Sequence, residues 1–147
     1  EQLFQRCAAM MQKLPALPQP VIAEADWSTL AGAVTALGRQ RALVVLLSPL
    51  EPSAVEEGLL PVLPSLTRHH RVVLASVRDP ALEELAATHG TLDEVYDAAA
   101  AEQAIGRRRY TAGLLRALGV DVVDADAEQL PPALADHYLA LKARGLL

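Results

Sequence analysis

Apolar residues along the chain form three short continuous runs, separated by segments in which they recur at helical spacing. The runs cover residues 42–47, 72–77 and 120–123. Continuous apolar runs of this length are typical of parallel strands covered by helices on both faces. The pattern predicts an α/β fold with β-α-β-α-β order, in which a short parallel sheet forms the middle of three layers, as in Rossmann-like domains. We expect the strand order to follow the chain, with right-handed crossovers.

The first 40 residues predict a helical amino-terminal segment ahead of a core at 41–147, all within one domain (1–147). Apolar side chains at residues 3–14 recur every three or four positions, which indicates a helix. Prolines at 15, 18 and 20 end it and predict an extended connector. Asp26 is well placed to cap a second helix, because its carboxylate can accept hydrogen bonds from backbone amides at the helix start.

Several later helix starts have side chains suited to capping. Ser53–Glu56 and Thr91–Glu94 have the spacing of a capping box, in which a hydroxyl and a carboxylate each accept a hydrogen bond from a free amide. Asp79 followed by Pro80 has the pattern of an N-cap and first helical residue, and Asp126–Gln129 offers a similar capping arrangement before Pro131 and Pro132. We therefore expect both aspartates to cap helices.

Two helices have internal features that indicate irregularity. Pro61 and Pro64 fall within the segment after the first strand, so that helix should kink or restart near Gly58. The longest helix is predicted from Leu92 to about Leu118, with an apolar stripe that includes two tyrosines. The basic run 107–109 in its middle indicates a solvated face or a bend.

Composition narrows the class of protein. The chain has 147 residues, of which 52% are hydrophobic, enough for one domain with a core and too apolar for a disordered chain. No apolar run approaches the length of a membrane span. The single Cys7 excludes an internal disulfide, and the net charge of −5 disfavours a nucleic-acid partner. Since the chain begins at Glu1 without an initiator Met, we expect it to be a piece of a longer protein.

Ligands of open parallel sheets bind at the carboxyl ends of the strands. The loops expected there supply our candidate interaction residues, which are Ser48, Glu51, Arg78, Asp79, Asp124 and Asp126. None of these loops is a glycine-rich phosphate loop. Three of the aspartates could together hold Mg²⁺, but helix capping explains Asp79 and Asp126 more simply.

Other reactive side chains have ordinary structural explanations. The adjacent pair His69 and His70 would diverge rather than bind one metal, and His137 lies at the boundary of an apolar helix face. Cys7 lies on an apolar helical stripe, as expected of an inert core thiol. No serine has the nucleophile-elbow pattern. We therefore assign no catalytic, cofactor-binding or metal-binding residue, expect no cofactor, and expect that the chain is not an enzyme.

From residue 41 onward the order of features resembles the carboxy-terminal half of a von Willebrand factor A-like domain, and more narrowly the bacterial family called domain of unknown function 58. The segments that carry this resemblance are Glu24–Trp27, Arg41–Ser48, Leu59–Pro61, His70–Pro80, Leu118–Asp124 and Leu134–Lys142. They are mainly patterns of apolar residues. The resemblance implies a half domain whose first strands lie upstream of Glu1.

The resemblance also implies a function and a location. Members of the family resemble partners of MoxR-type AAA+ ATPases, so the chain is expected to be a cytoplasmic adaptor, with the full-length protein anchored in the membrane upstream of residue 1. The A-type fold binds Mg²⁺ through three elements. The first strand's Asp-x-Ser-x-Ser is absent here, and Ser48 and Pro49 stand where a Thr-Asp pair is expected. Metal binding is therefore not carried over.

Two other functions remain open at this stage. The main alternative is a Rossmann-like domain with a cryptic hydrolase or metal site at Asp79, Asp124 and Asp126. A receiver-like signalling domain is a weaker idea, because the paired acidic loop and the aspartate after the strand ending at Leu47 are missing.

In the A-type fold the strand matching 42–47 lies in the middle of the sheet, beside the first strand, which this chain lacks. We therefore expect something else to cover this edge. An apolar strand edge without a charge or proline favours pairing with another chain. We expect a homodimer through this strand, or else coverage by the connector at 15–22.

Overall fold

The structure is a computed structural model that describes residues 25–36, 40–88 and 90–147. In chain order its elements are α1 (Trp27–Ala36), β1 (Leu43–Leu47), a π-helix (Ala54–Leu59), α2 (Leu63–Thr67), β2 (Arg71–Val77), α3 (Ala81–Ala87), α4 (Leu92–Ala117), β3 (Asp121–Ala125) and α5 (Leu130–Ala143). The predicted helix at 3–14 and the connector at 15–22 lie outside the described residues. No helix in the described ranges has the length and apolar character needed to span a membrane.

The three strands form one parallel sheet in the order β1-β2-β3, which confirms the predicted mixed α/β class and the strand order. Val45 of β1 is aligned with Val73 of β2, and Val73 with Asp121 of β3. Each strand lies within two residues of its predicted limits. The largest difference is in β3, which extends to Ala125 and so contains Asp124, a residue that the sequence placed in a loop.

The hydrophobic core lies against the sheet face that carries the even-numbered strand residues. Val72 and Leu74 of β2 are fully buried there, between half-buried positions of the two outer strands. Side chains from α1, from the segment between β1 and β2 and from α4 belong to this core, including Ala31, Leu50, Val55, Leu59, Leu63, Leu66, Ala112 and Leu115. The core is therefore built almost entirely from Leu, Val and Ala, as the low aromatic content predicts.

The odd-numbered strand residues include Val73 and Ala75 of β2, which are also buried. Helix α5 contacts both β2 and β3. Its His137 ring lies 3.1 Å from the carboxylate of Asp121, an odd-numbered residue of β3. The buried side chains of α5 are Leu130 and Leu141. Helix α5 thus contacts a part of the sheet that the main core does not contact.

Two of the predicted helix starts have the expected capping geometry. Asp26 accepts a hydrogen bond from the amide of Thr29 (3.0 Å) at the start of α1. Thr91 and Glu94 form the complete capping box of α4, with each side chain accepting from the other residue's amide. Glycine at 119 follows α4 with φ of +83°, a conformation in which a glycine ends a helix without strain.

The capping box predicted at Ser53–Glu56 is wrong. Ser53 already has helical backbone angles (φ −59°, ψ −48°) and makes no capping hydrogen bond with its side chain. An N-cap residue needs an extended backbone so that its side chain can turn back to the next amides. The helical turn begins before Ser53, so its hydroxyl cannot reach them.

The predicted irregularity after β1 is confirmed, although its position differs. A π-helix from Ala54 to Leu59 is followed by turns, and α2 begins at Leu63 rather than near Gly58. Gly58 lies against Trp27 of α1, so close that an added Cβ would come within 2.6 Å of the indole Nε1. A glycine at this position therefore lets the π-helix and α1 approach each other.

Helix α4 is continuous through the basic run at 107–109 and buries a different stripe from the one expected. Its buried positions include Ala101 and Leu115, whereas Tyr96 and Tyr110 are exposed. Most of the buried side chains are small (Ala98, Ala101, Thr111 and Ala112), and the helix contacts both α3 and β3. The apolar stripe with the tyrosines is therefore on the solvent side.

Candidate interaction surface at the carboxyl edge of the sheet

The carboxyl ends of the three strands meet at one edge, and backbone hydrogen bonds fix the residues that follow them. The amide of Ser48 donates to the carbonyl of Ala75 (3.2 Å), and the amide of Arg78 donates to the carbonyl of Ala125 (2.8 Å). Both bonds extend the ladders one residue beyond β1 and β2. The loops that leave this edge thus start from defined positions.

Asp79 and Asp126 accept hydrogen bonds near the starts of α3 and α5, but the N-cap residues are Pro80 and Gln129, because the helical backbone begins after the two aspartates. The carboxylate of Asp79 accepts a hydrogen bond from the amide of Ala81 (3.0 Å). That of Asp126 accepts one from the amide of Gln129 (2.8 Å), just before α5. Each bond pairs a backbone amide at or just before a helix start, where no carbonyl of that helix is available.

A cleft of about 590 Å³ lies between Asp79 and Asp126. Its lining is contributed by the loop after β2 and the turn after β3, namely Val77, Arg78, Asp79, Pro80, Asp126, Ala127, Glu128 and Gln129. The cleft contains three of our six candidate residues. It lies where open parallel sheets usually bind their ligands.

Asp124 does not join the other two aspartates. Its carboxylate is bound by the guanidinium of Arg108 at 2.7 Å, and both side chains are largely buried. Among residues 25–36, 40–88 and 90–147, no three acidic, histidine or cysteine side chains are grouped as a metal site requires. The carboxylate cluster of the alternative hypothesis is therefore not formed in the described structure.

Arg108 is the residue at this edge that the sequence reasoning missed. It reaches from α4 to the ends of β2 and β3, where Nη2 also donates to the Ser76 hydroxyl (3.1 Å) and to the Val77 carbonyl (3.2 Å). A signal was present in the spacing. Ala101, Arg108 and Leu115 are seven residues apart, so Arg108 lies on the buried stripe of α4.

The remaining two candidates lie at the end of β1. Ser48 is half-buried, and its hydroxyl donates to the carbonyl of Pro49 (3.3 Å). Glu51 is exposed, and its carbonyl accepts from the amide of Val55 (3.0 Å). Both lie apart from the 590 Å³ cleft. The six candidates thus form three groups. Two lie at the end of β1, one is paired with Arg108, and three line the cleft.

The outer edge of β1 has no paired strand in the described part of the chain. The carbonyl of Ala42 and the amide of Ser48 both bond to β2. Because backbone groups of successive strand residues point to opposite sides, Leu43, Val45 and Leu47 direct their amides and carbonyls away from β2. Val45 is also 37% exposed and Leu47 76% exposed, so the edge is both apolar and accessible.

A second polar cluster lies at the opposite, amino edge of the sheet. Arg71 donates from Nε and Nη2 to the two carboxylate oxygens of Asp121, at 2.8 and 2.7 Å. The His137 ring contacts the same carboxylate. This agrees with the boundary position expected for His137. The cluster links β2, β3 and α5.

Comparisons of the chain with protein-family models, with curated proteins and with solved structures found no match. The resemblance to the carboxy-terminal half of a von Willebrand factor A-like domain therefore stays a prediction.

Proposed function

We propose that the chain is a protein-interaction module that acts by binding rather than by catalysis. The observation that carries this proposal is the apolar edge of β1, which has no paired strand among the described residues. A strand edge with free amides and carbonyls offers backbone hydrogen bonds to an added strand, and its side chains offer apolar contact. Soluble proteins usually protect such an edge with a charge or a proline, and residues 43–47 contain neither.

A second exposed apolar side chain, Val77, lies near this edge and beside the 590 Å³ cleft. Leu47 and Val77 are both odd-numbered, so they lie on the same face of the sheet, and Val77 is 54% exposed. The register aligns Leu47 with Ala75, two residues before Val77. Val77 in turn lines the cleft. A partner strand on β1 could therefore extend its contacts over Leu47 and Val77 into the cleft.

The proposed fold beneath this surface is three-layered, the carboxy-terminal half of a von Willebrand factor A-like domain. Contacts of α4 and α5 support it. Arg108 of α4 reaches Ser76 and Asp124, which are even-numbered strand residues, whereas His137 of α5 reaches the odd-numbered Asp121. Since successive strand residues point to opposite faces, these contacts support helices on both sides of the sheet.

We propose a MoxR-type AAA+ ATPase as the partner, on the resemblance of the apolar segments given above. The proposed setting is the bacterial cytoplasm. A homodimer through β1 would use the same edge, so the two associations would compete.

Binding to a purified MoxR-type AAA+ ATPase from the same genome tests this function. Titration of the labelled chain, followed by fluorescence anisotropy, should give a saturable curve. Leu47→Lys should weaken binding by about tenfold or more, because loss of one buried apolar anchor typically has an effect of this size. Val77→Lys should have a similar effect.

Leu92→Lys is the matched control, since Leu92 is 71% exposed on the first turn of α4, away from β1. It should leave the affinity within about twofold, as is usual for residues outside an interface. If the unmodified chain showed no saturable binding, the proposal of a MoxR-type AAA+ ATPase as the partner would be wrong. If Leu92→Lys and Leu47→Lys weakened the binding equally, the partner would not bind at the proposed surface on β1.

A further inference from the structure

The odd-numbered side chains of β1 lie on a face of the sheet that the described helices leave largely open. Val45 is 37% exposed and Leu47 76% exposed on that face. On the opposite face, Val44 and Leu46 pack against the hydrophobic core. Helix α5, on the same side of the sheet as Val45, makes its main strand contacts with β2 and β3. Within the described chain, β1 is therefore well covered on one face only.

The sequence of β1 is typical of a strand that is covered on both faces. Its five residues are all Leu or Val, without the alternation of apolar and polar residues that a half-exposed strand shows. The odd-numbered positions are thus as apolar as the even-numbered ones that face the core. Removal of apolar side chains from water is favourable. The odd-numbered face of β1 therefore favours an apolar cover that the described helices do not supply.

The segment 3–14 has the apolar pattern that such a cover requires. At the helical rotation of about 100° per residue, its large apolar side chains fall within an arc of about 120°. Arg6 and Lys13 lie outside this arc. As a helix, the segment would be about 18 Å long, close to the length of about 16 Å expected of a strand of five residues. The side chains in the arc are Leu3, Phe4, Cys7, Met10, Met11 and Leu14.

The chain between this segment and the described structure is long enough to reach the open face. Residues 15–24 precede Ala25, the first described residue. Fully extended, they span at most about 33–36 Å. Trp27, at the start of α1, packs against the core and so lies on the opposite side of the sheet from Val45. Two layers on opposite sides of a sheet are about 20 Å apart, twice the spacing of packed layers. The connector can therefore cross from one side of the sheet to the other.

A segment of the same chain has an advantage over a second copy as the cover of this face. A short flexible tether holds the segment at an effective concentration in the millimolar range. A second copy reaches that concentration only in a solution of millimolar protein. At micromolar protein concentrations, residues 3–14 would therefore occupy the face before a second copy does.

We propose that residues 3–14 pack as a helix on the odd-numbered face of β1, with their apolar arc against Val45 and Leu47 and beside α5. This packing covers side chains and leaves the outward amides and carbonyls of the β1 edge free. A partner that contacts Leu47 has to displace the segment. The resulting loss of affinity for that partner rests on the proposed function, whereas the packing itself does not depend on it.

A nitroxide label on the segment tests the packing in the full chain by NMR. Cys7 is the sole cysteine, so Cys7→Ala combined with Ala9→Cys places one label outside the apolar arc. The methyl resonances of Val45 and Leu47 should broaden more than those of Leu63, which is buried in the core on the other side of the sheet. Equal broadening on both sides of the sheet, or none, overturns the proposal.

A mixed sample identifies the molecule that supplies the segment. Isotope-labelled chain without nitroxide is mixed with nitroxide-labelled chain without isotope. The methyl groups of Val45 and Leu47 should then show no broadening, because each chain covers its own face. Broadening in the mixture would mean that a second copy occupies the face, and the proposal would be overturned.

Two neighbouring substitutions separate packing through the apolar arc from mere proximity of the segment. Phe4→Asp places a charge inside the arc and should remove the broadening at Val45 and Leu47, because burial of an unpaired carboxylate is costly. Gln5→Asp adds the same charge outside the arc and should leave the broadening unchanged. Equal effects of the two variants overturn the proposal.

The same pair of variants tests the consequence for partner binding. Phe4→Asp should raise the affinity for the MoxR-type AAA+ ATPase by about tenfold or more, because a surface that is open in only a minor fraction of molecules binds more weakly by that fraction. Gln5→Asp should leave the affinity unchanged. If Phe4→Asp removed the broadening without raising the affinity, the packing would be confirmed, and its competition with the partner would be wrong.

Discussion

Arg71, the first residue of β2, donates hydrogen bonds to both carboxylate oxygens of Asp121, the first residue of β3, at 2.8 and 2.7 Å. Both side chains are about three-quarters buried. Asp124, near the other end of β3, is held by Arg108 of α4. A strand with two acidic residues can thus lie in a buried sheet because each carboxylate has its own arginine.

Replacement of Asp121 should destabilise the fold. Asp121→Asn keeps the size of the side chain but removes the charge and replaces one of the two acceptor oxygens by an NH2 donor, so Arg71 and His137 can no longer all be satisfied. We expect the free energy of unfolding to fall by about 1–3 kcal/mol, the usual cost of losing a hydrogen-bonded, partly buried charge pair. Urea denaturation at neutral pH measures this change.

Glu83→Gln is the control for that prediction. The Arg78–Glu83 pair has a distance of 3.2 Å, and its side chains are 42% and 56% exposed. Exposed pairs contribute little, so the variant should change the stability by no more than about 0.5 kcal/mol. If the two variants had equal effects, the Arg71–Asp121 pair would have no special role in joining β2 to β3.

Gly58→Ala should also destabilise the chain, through a clash rather than a lost bond. An added Cβ would lie 2.6 Å from the Trp27 Nε1, so the indole ring or α1 would have to move. Overpacking of this kind typically costs about 1–3 kcal/mol. Because Trp27 is the sole tryptophan, its fluorescence should change in the folded variant, and urea denaturation gives the loss of stability.

Gly106→Ala makes the same substitution where there is room. Gly106 lies inside α4, and no heavy atom would lie within 4 Å of its new Cβ. Alanine favours a helix over glycine by up to about 1 kcal/mol, so this variant should be neutral or more stable. A destabilised Gly106→Ala together with a neutral Gly58→Ala would contradict the contact between Gly58 and Trp27.

Strand order and helix positions could be predicted because they depend on local patterns. The apolar runs gave β1 and β2 to within one residue, and the Thr91–Glu94 spacing gave the start of α4. Hydrophobic periodicity and capping chemistry both operate within a few residues. That Asp79 and Asp126 accept hydrogen bonds from amides near helix starts could be expected for the same reason, although neither is the N-cap residue.

The features that were missed depend on residues distant in sequence. Asp124 lies in β3 because Arg108 neutralises it, and nothing next to Asp124 in the sequence indicates that partner. The cleft between Asp79 and Asp126 arises only when the loop after β2 and the turn after β3 come together. Local patterns contain no information about such tertiary contacts.

The cap at Asp26 predicts a change of stability in acid. Hydrogen bonds from the hydroxyls of Ser28 and Thr29, and from the Thr29 amide, lower the pKa of Asp26 from 3.8 to about 2. Since the folded pKa is below the unfolded one, the carboxylate stabilises the fold fully above the unfolded value, and this stabilisation is lost as the pH falls from 3.8 towards 2.

Asp26→Asn reveals that contribution, because its amide does not titrate. The difference in free energy of unfolding between the unmodified chain and the variant should be larger at about pH 5 than at about pH 2.5. Urea denaturation of both proteins at the two pH values measures it. A difference that stays constant would contradict the lowered pKa, which NMR titration of the Asp26 carboxyl carbon checks directly.

The edge of β1, unpaired in the described part of the chain, predicts a dimer in the absence of another partner. Val45 is the central residue of β1, and it directs its amide and carbonyl away from β2. Antiparallel pairing of two copies across a two-fold axis would place Val45 near its counterpart and make a continuous six-stranded sheet. Light scattering coupled to size exclusion should then show a monomer–dimer equilibrium that depends on concentration.

Two substitutions at Val45 test this pairing in different ways. Val45→Lys would set like charges close together across the axis, which opposes cross-strand pairing. Val45→Pro removes an outward amide, a change that an edge strand tolerates because no bond to β2 is lost. Both variants should remain folded and shift the equilibrium to monomer, whereas Leu92→Lys should not. A monomer at all concentrations of the unmodified chain, or a dimer that survives both Val45 variants, would show that β1 is not the dimer interface.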